Sequence, residues 1–213
     1  MYEKYGQFID GKWHKSSTGE TYEVINPANE EIIGKASKAS SQDVDKALLS
    51  AQKGLEVWKK TPPWQRAYIL RRIADKMREK QDILAKWMTL EVGKPFAEAK
   101  GEVNGAADIY EWNAEETKRI YGQTVESRFE DTRVHVYYQP VGVVAALVPW
   151  NFPLVLSARK ISTALAAGCS VIVKPDVITP GVVMERVEIC RECGVPPGVI
   201  NLLSGDPPSI AKQ

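Results

Sequence analysis

Two short segments of the 213-residue chain carry side chains that could do chemistry together. The first is Pro149-Trp150-Asn151-Phe152-Pro153, and the second is Lys174-Pro175-Asp176. A lysine ammonium group can hold sugar hydroxyls or a phosphate, and an asparagine amide can donate a hydrogen bond to an oxyanion. The alternative is that the tryptophan and the prolines only shape a turn. Spacing alone leaves both readings open.

The elements around these segments are predicted to alternate between strand and helix. Val143 to Val148 is a continuous apolar run, typical of a strand covered on both faces. A helix from Pro153 to Gly168 has a buried stripe at Leu154, Ala158, Ile161 and Leu165. Two further strands are predicted at Val171 to Val173 and Val199 to Leu203. The helix between them is predicted to be capped by Thr179 and to end at Gly194.

This β-α-β-α-β order predicts an α/β fold with a Rossmann-like parallel sheet and flanking helices. Ligands bind beyond the carboxyl ends of the strands in such a sheet, so Trp150, Asn151 and Lys174 should meet at one edge. A Gly-x-Gly-x-x-Gly fingerprint does not follow the first strand. Beyond the third strand, the apolar face and edge would be bare without further chain, which predicts association or poor solubility.

The preceding residues divide into an N-terminal region, 1–123, and an extended hairpin, 124–142, ahead of the sheet unit at 143–213. Short strands are predicted around the turn at Asp10-Gly11 and on both sides of Pro27. Four helices follow, the first capped by Ser41; their predicted ranges are 41 to about 61, 64–80, 82–92 and 96–119.

Composition narrows the class of protein. The net charge of +1 gives no electrostatic reason to expect nucleic acid or an anionic membrane surface as a partner. No apolar run reaches the roughly 18 residues of a membrane span, and the N-terminus has no signal-peptide core. Three cysteines are too few for a disulfide scaffold, which favours a reducing, cytoplasmic setting.

Ordered motifs along nearly the whole chain resemble the aldehyde dehydrogenase superfamily. Besides the Trp-Asn-Phe-Pro segment, they are Phe8-Ile9-Asp10-Gly11-Lys12-Trp13, Glu91-Val92-Gly93-Lys94-Pro95, Ala164-Leu165-Ala166-Ala167-Gly168-Cys169, Val173-Lys174-Pro175 and Gly194-Val195-Pro196-Pro197-Gly198. The resemblance implies NAD(P)-dependent oxidation of an aldehyde to a carboxylic acid, in a homo-oligomer joined through the hairpin. It also implies a cofactor site without the usual glycine fingerprint.

The resemblance assigns roles to particular residues. Asn151 would donate to the oxyanion, Lys174 would bind the adenosine ribose, and Lys160 matches a lysine near the catalytic centre. The cofactor would also contact the residues around these two strand ends, namely Leu147, Val148, Pro149, Trp150, Pro175, Asp176 and Val177. The alternative for Lys160 is an ordinary solvated position on a helix.

Two positions bear on specificity. Where NAD-preferring members carry a glutamate, this chain has Val177, which would not repel the 2′-phosphate of NADP, so NAD and NADP both remain open. Arg159 resembles the arginine of succinate-semialdehyde dehydrogenases that binds the substrate's distal carboxylate, a task that suits a guanidinium fork. The alternative is that Arg159 pairs with a neighbouring surface acid.

The nucleophilic cysteine and the general-base glutamate of the family have no matching motif in these residues. Cys169, Cys190 and Cys193 are interpreted as structural, and with only two histidines no metal site is expected. We therefore expect the chain to be part of a longer enzyme and to oxidise no aldehyde by itself. The competing hypothesis is a non-catalytic module that binds nucleotide or joins oligomers.

Overall fold

A computed structural model of the chain describes residues 2–206 and residue 210. Its strands are β1 (Gln7–Ile9), β2 (Lys12–His14), β3 (Thr21–Ile25), β4 (Ile32–Ser37), β5 (Gln123–Glu126), β6 (Arg133–Val136), β7 (Val143–Leu147), β8 (Ser170–Lys174) and β9 (Ile200–Leu202). Its helices are α1 (Ser41–Trp58), α2 (Pro63–Glu79), α3 (Gln81–Val92), α4 (Phe96–Thr117), α5 (Pro153–Ala167) and α6 (Pro180–Glu192). The α/β class and the alternation from β7 to β9 agree with the prediction.

The central sheet is mixed, which corrects the prediction of a parallel sheet. Its order is β2-β1-β9-β8-β7, with β7, β8 and β9 parallel and with β1 antiparallel to both β9 and β2. Phe8 of β1 pairs with Leu202, so the edge of β9 is covered and the expected bare edge there was wrong. Pairing between residues so distant in sequence leaves no local pattern from which to predict it.

The exposed edge belongs to β7 instead. Within the described residues β7 has β8 as its one hydrogen-bonded neighbour. Ala146 is fully buried, but Ala145 is exposed and Leu147 is 53% exposed. The prediction that this strand is covered on both faces was therefore wrong, because an apolar run records composition and not the strand's place in the sheet.

Two apolar clusters cover opposite faces of the sheet, as the alternation of side chains along a strand requires. Phe8, Val171 and Val173 belong to the larger cluster, which α2 to α6 complete. Ile9 and the partly buried Ile172 belong to the smaller cluster, which α1 covers. The predicted stripe of α5 is confirmed, because all four of its residues are fully buried.

Helix ends follow local rules with two corrections. Ser40, and not Ser41, caps α1: its hydroxyl accepts from the Asp43 N–H, and the Asp43 carboxylate accepts in return from the Ser40 N–H. Gly168 ends α5 in the left-handed region at φ 91°, as predicted. The side chain of Thr179 makes no capping bond to α6, and a distant carboxylate takes that place.

Two small antiparallel sheets lie apart from the central one. Strands β3 and β4 form the first, and β5 and β6 form the second within the segment predicted to be extended. All residues of β5 are exposed, and Val136 is the one partly buried residue of β6. Across the described part of the chain, no helix has both the length and the apolar composition that crossing a bilayer requires.

Candidate functional site

The two chemistry-bearing segments leave the sheet side by side. Leu147 at the end of β7 is the register partner of Lys174 at the end of β8. One residue further on, the Val148 N–H donates to the Lys174 carbonyl at 3.0 Å. The loops that begin at Pro149 and Pro175 therefore start at the same edge of the sheet, where the strands' carboxyl ends lie.

Lys174 is a mostly buried cation at the end of β8. It is 7% exposed, and its ammonium group donates no hydrogen bond to any residue that the structure describes. Burial lowers the pKa of Lys174, while the charges of Asp176 and Asp206 oppose that shift. The Lys174 ammonium group is not one of the fully buried side-chain atoms that lack a partner in the described residues, and its place at the strand end suits a ligand that supplies oxygen atoms.

A cavity of about 440 Å³ adjoins these loops. Trp150 and Val177 both line it, which brings together one residue from each loop. The remaining wall comes from β3 and the turn after it, from the end of α3 and from Ile178. Trp150 is 50% exposed, so one part of its ring is open to solvent. The cavity is predominantly apolar, with Glu23 and Glu91 as its acidic residues.

Asn151 stands next to this cavity in the chain but does not line it. The residue is exposed, and its carboxamide makes no hydrogen bond to the described residues. Its backbone carbonyl accepts from Lys94 Nζ at 3.2 Å. The same ammonium group lies 4.0 Å from the centroid of the Phe152 ring. The side chain of Asn151 is thus free to donate, while its backbone is held.

The N-terminus of α5 is capped by Glu102 of α4. One carboxylate oxygen accepts from the Leu154 and Val155 N–H groups at 2.9 and 3.2 Å. The other oxygen bonds to Lys94, and the Lys94 and Glu102 side chains are 12% and 2% exposed. The helix end that carries the Asn151 loop is therefore fixed by a buried ion pair.

The N-terminus of α6 is capped in the same way by Glu91 of α3. Its two carboxylate oxygens accept from the Gly181 and Val182 N–H groups at 2.6 and 3.1 Å. The Tyr2 hydroxyl donates to the same carboxylate at 2.7 Å. Burial raises the pKa of Glu91 to about 7, against the opposing effect of these three donors.

Sequence reasoning missed both capping carboxylates, although a signal was present. Glu91 occupies the same buried face of α3 as Leu84 and Met88, and Glu102 lies between Ala99 and Val103 on the buried face of α4. A glutamate at a core-facing position of an amphipathic helix requires a partner. The partners themselves are backbone groups about 50 and 90 residues away, which periodicity does not identify.

The two basic residues of α5 differ in their contacts. Lys160 is exposed, and its ammonium group bonds to the Leu147 carbonyl at the end of β7. Arg159 is exposed, and the ion pairs between described residues do not include it. Among the described residues, Arg159 thus has no ion pair of the kind considered as the alternative.

The cysteines are free and buried, with exposures of 2%, 1% and 3% for Cys169, Cys190 and Cys193. Burial raises the pKa of Cys190 to about 11 and also raises that of Cys193. Such thiols are poor nucleophiles at neutral pH. The described part of the chain has no group of three or more His, Cys, Asp or Glu side chains that could hold a metal ion.

Comparison with known proteins identifies relatives along nearly the whole chain. The model of the aldehyde dehydrogenase family matches residues 13–213. A glutarate-semialdehyde dehydrogenase of Pseudomonas aeruginosa is 44% identical over 198 residues, which is 93% of this chain and 41% of the relative. A succinate-semialdehyde dehydrogenase [NADP(+)] of Escherichia coli is 42% identical, over 96% of this chain and 42% of the relative.

Solved structures agree with the sequence matches. An NADP-dependent enzyme of Escherichia coli superposes with a TM-score of 0.95 at 42% identity, covering 96% of this chain and 43% of that one. A betaine aldehyde dehydrogenase of Staphylococcus aureus in complex with NAD+ gives 0.95 at 34% identity, covering 98% and 43%. The chain thus spans about two fifths of the length of the relatives it matches.

Proposed function

Because the chain belongs to the aldehyde dehydrogenase family, we propose that it supplies the NAD(P)-binding part of an enzyme that oxidises a semialdehyde to the dicarboxylic acid. The observation that carries this proposal is the place of Lys174: it is 7% exposed at the end of β8, at the strand edge where the loops begin whose Trp150 and Val177 line the cavity of about 440 Å³. In this proposal β7 to β9, with α5 and α6, form half of a Rossmann-like unit whose ligand lies at that edge.

The residues present fit a dinucleotide. Lys174 offers an ammonium group to ribose hydroxyls, and Trp150 offers a flat apolar surface within the cavity. Leu147, Val148 and Pro149 bring backbone groups to the same edge. The bound nicotinamide supplies the hydride acceptor of the reaction. Both neighbouring helix N-termini are already capped by glutamates, so the diphosphate is expected to lie away from them.

Asn151 is proposed to stabilise the oxyanion that forms when a nucleophile adds to the aldehyde. Its carboxamide is exposed and makes no hydrogen bond to the described residues, while its backbone is held by Lys94. Holding the backbone reduces the reorganisation needed to bring the carboxamide to the developing negative charge. Lys160 contributes by holding the end of β7 through the Leu147 carbonyl.

Arg159 is proposed to bind the distal carboxylate of the substrate. Its guanidinium group is exposed and has no ion pair with the described residues, so it is available for a bidentate contact. The two similar dehydrogenases named above act on glutarate and succinate semialdehydes, both of which carry such a carboxylate. A semialdehyde is therefore the substrate class we propose.

Val177 leaves NADP and NAD both acceptable. A valine in the cavity wall introduces no carboxylate that would repel a 2′-phosphate. Replacing it with glutamate should weaken NADP+ binding more than NAD+ binding, because a carboxylate there would repel the extra phosphate. A larger loss for NAD+ than for NADP+ in calorimetric titrations would exclude this placement of Val177.

This polypeptide is proposed not to oxidise aldehydes by itself. Its three thiols are buried, and burial raises the pKa of Cys190 and Cys193, so none is poised to attack a carbonyl. The exposed hairpin favours a second role in joining subunits, since Val125 and Val134 are 44% and 42% exposed. The unpaired thiols suit the reducing cytoplasm that we propose as its location.

Binding of NADP+ to the 213-residue chain tests the proposal. We expect saturable binding that Lys174→Met weakens at least about tenfold, because a charged hydrogen-bond donor is lost. Lys53→Met is the control for the loss of one positive charge, since Lys53 is exposed and lies on α1. Equal affinities for the wild type and Lys174→Met would contradict the proposed site.

A further inference from the structure

We propose that the buried ion pair between Lys94 and Glu102 is a positioning device for Asn151, an inference that rests on the oxyanion-donor role proposed above. The pair contacts the end of the loop that carries Asn151 and the start of α5 after it. Lys94 reaches the loop itself, and Glu102 holds the start of the helix that follows. Neither residue lines the cavity that Trp150 shares with Val177.

Glu102 fixes the downstream end of the loop. One of its carboxylate oxygens accepts from the N–H groups of Leu154 and Val155, the first free N–H donors of α5. Its side chain is 2% exposed, so little water competes for these bonds. A buried carboxylate that is held by two amides and one ammonium group has a fixed position.

Lys94 contacts the last two residues of the loop before α5. Its ammonium group bonds to Glu102, donates to the Asn151 carbonyl at 3.2 Å and lies 4.0 Å from the Phe152 ring centroid. Gly93 turns the chain with φ 67° just before it, so the lysine extends from the junction of α3 and α4. The three contacts of one cation account for the placement of Asn151 and Phe152.

Asn151 depends on this support because its own side chain has none. The carboxamide makes no hydrogen bond to the described residues, and Trp150, Asn151 and Phe152 are all exposed. An oxyanion donor must be held close to its working geometry, since small displacements reduce its effect steeply. The backbone contact from Lys94 is what the structure offers for that purpose.

A purely structural role for the pair makes a different prediction. Removing the ion pair would then loosen the start of α5 together with the loop. A positioning role instead predicts that Lys94→Met loosens Asn151 while Leu154 and Val155 stay protected, because Glu102 still accepts their N–H groups. Glu102→Gln should behave alike, since its amide oxygen can still cap the helix, while the NH₂ group in place of the second carboxylate oxygen cannot accept from Lys94.

The test is nitrogen-15 relaxation of the full 213-residue chain, with hydrogen exchange measured on the same samples. The variants are Lys94→Met, Lys94→Arg and Glu102→Gln, with Lys80→Met as the control. Lys80 is matched because it is also part of a mostly buried ion pair, with Glu185, but it lies at the other end of α3.

In the wild type we expect an order parameter of about 0.85 at Asn151, falling below roughly 0.6 in Lys94→Met and Glu102→Gln. Lys94→Arg should restore the wild-type value, and Lys80→Met should not change it. The proposal is overturned if Asn151 is mobile in the wild type or remains rigid in both variants. It is also overturned if Leu154 and Val155 lose protection in Lys94→Met as much as Asn151 loses order.

Titration of the same samples with NADP+ separates this inference from the proposed function. If the relaxation results are as expected but the wild type binds no NADP+, the ion pair positions the loop and the cofactor proposal fails. If NADP+ binds and Asn151 does not respond to loss of Lys94, the cofactor proposal stands and the positioning role fails.

Discussion

The buried carboxylate of Glu91 makes the stability of this chain depend on pH. Its pKa is about 7 in the folded chain and near its ordinary 4.5 in the unfolded chain. Below pH 4.5 the group is protonated in both states, so its contribution to stability is fully present. As pH rises toward 7, the unfolded chain releases this proton first, and the contribution is lost. At about 1.4 kcal/mol per pH unit, the loss between these two values is about 3 kcal/mol.

Urea unfolding at a series of pH values from 5 to 8 measures this loss. The wild-type free energy of unfolding should fall with rising pH, whereas Glu91→Gln should be nearly independent of pH because an amide does not ionise. Glu98→Gln is the control: Glu98 is exposed on α4, and the variant should keep the wild-type slope. A Glu91→Gln variant with the wild-type slope would refute the assignment of the pH dependence to this carboxylate.

Two further predictions concern the thiols and the packing of glycines. The thiols should react with a disulfide reagent at pH 8 only after unfolding. A pKa of about 11 leaves about one part in a thousand of Cys190 ionised at that pH. A thiol that reacts fast in the native chain would contradict this prediction. Gly54→Ala should destabilise the chain by about 2–3 kcal/mol, because a Cβ there would lie 2.1 Å from the Gly198 carbonyl carbon. Gly101→Ala lies in an exposed turn of α4 with open space around the new Cβ, and it should instead stabilise the chain by about 0.5–1 kcal/mol in urea unfolding. If both variants change the free energy of unfolding in the same direction, the described packing of α1 is contradicted.

Local features of the fold were predictable because local physics produces them. Pro153 and Gly168 bound α5 as expected, and its apolar stripe is buried. Features set by distant pairing were not predictable. Phe8 meets Leu202 across the chain, and β7 is an edge strand despite its apolar run. A strand's neighbours are fixed by topology, which a window of residues does not contain.

The candidate site shows the same division. Sheet topology led to the expectation that the loops after β7 and β8 begin together, and Leu147 is the register partner of Lys174. What holds those loops was missed, because the amides that Glu91 and Glu102 cap lie in other elements. Thr179 was assigned as a cap from its residue type, yet its hydroxyl is buried and has no partner in the described residues. Residue type gives the capacity for a bond, and tertiary packing decides which group forms it.

The central claim is that a dinucleotide binds where the loops after β7 and β8 meet, and the position of bound NADP+ tests it most directly. Chemical-shift changes during an NADP+ titration of the labelled chain locate the ligand without assuming any activity. We predict the largest changes at the Val177 methyl groups and the Trp150 indole, which line one cavity. Changes centred instead near Cys193, where a separate charged cleft lies at the far end of α6, would contradict the account.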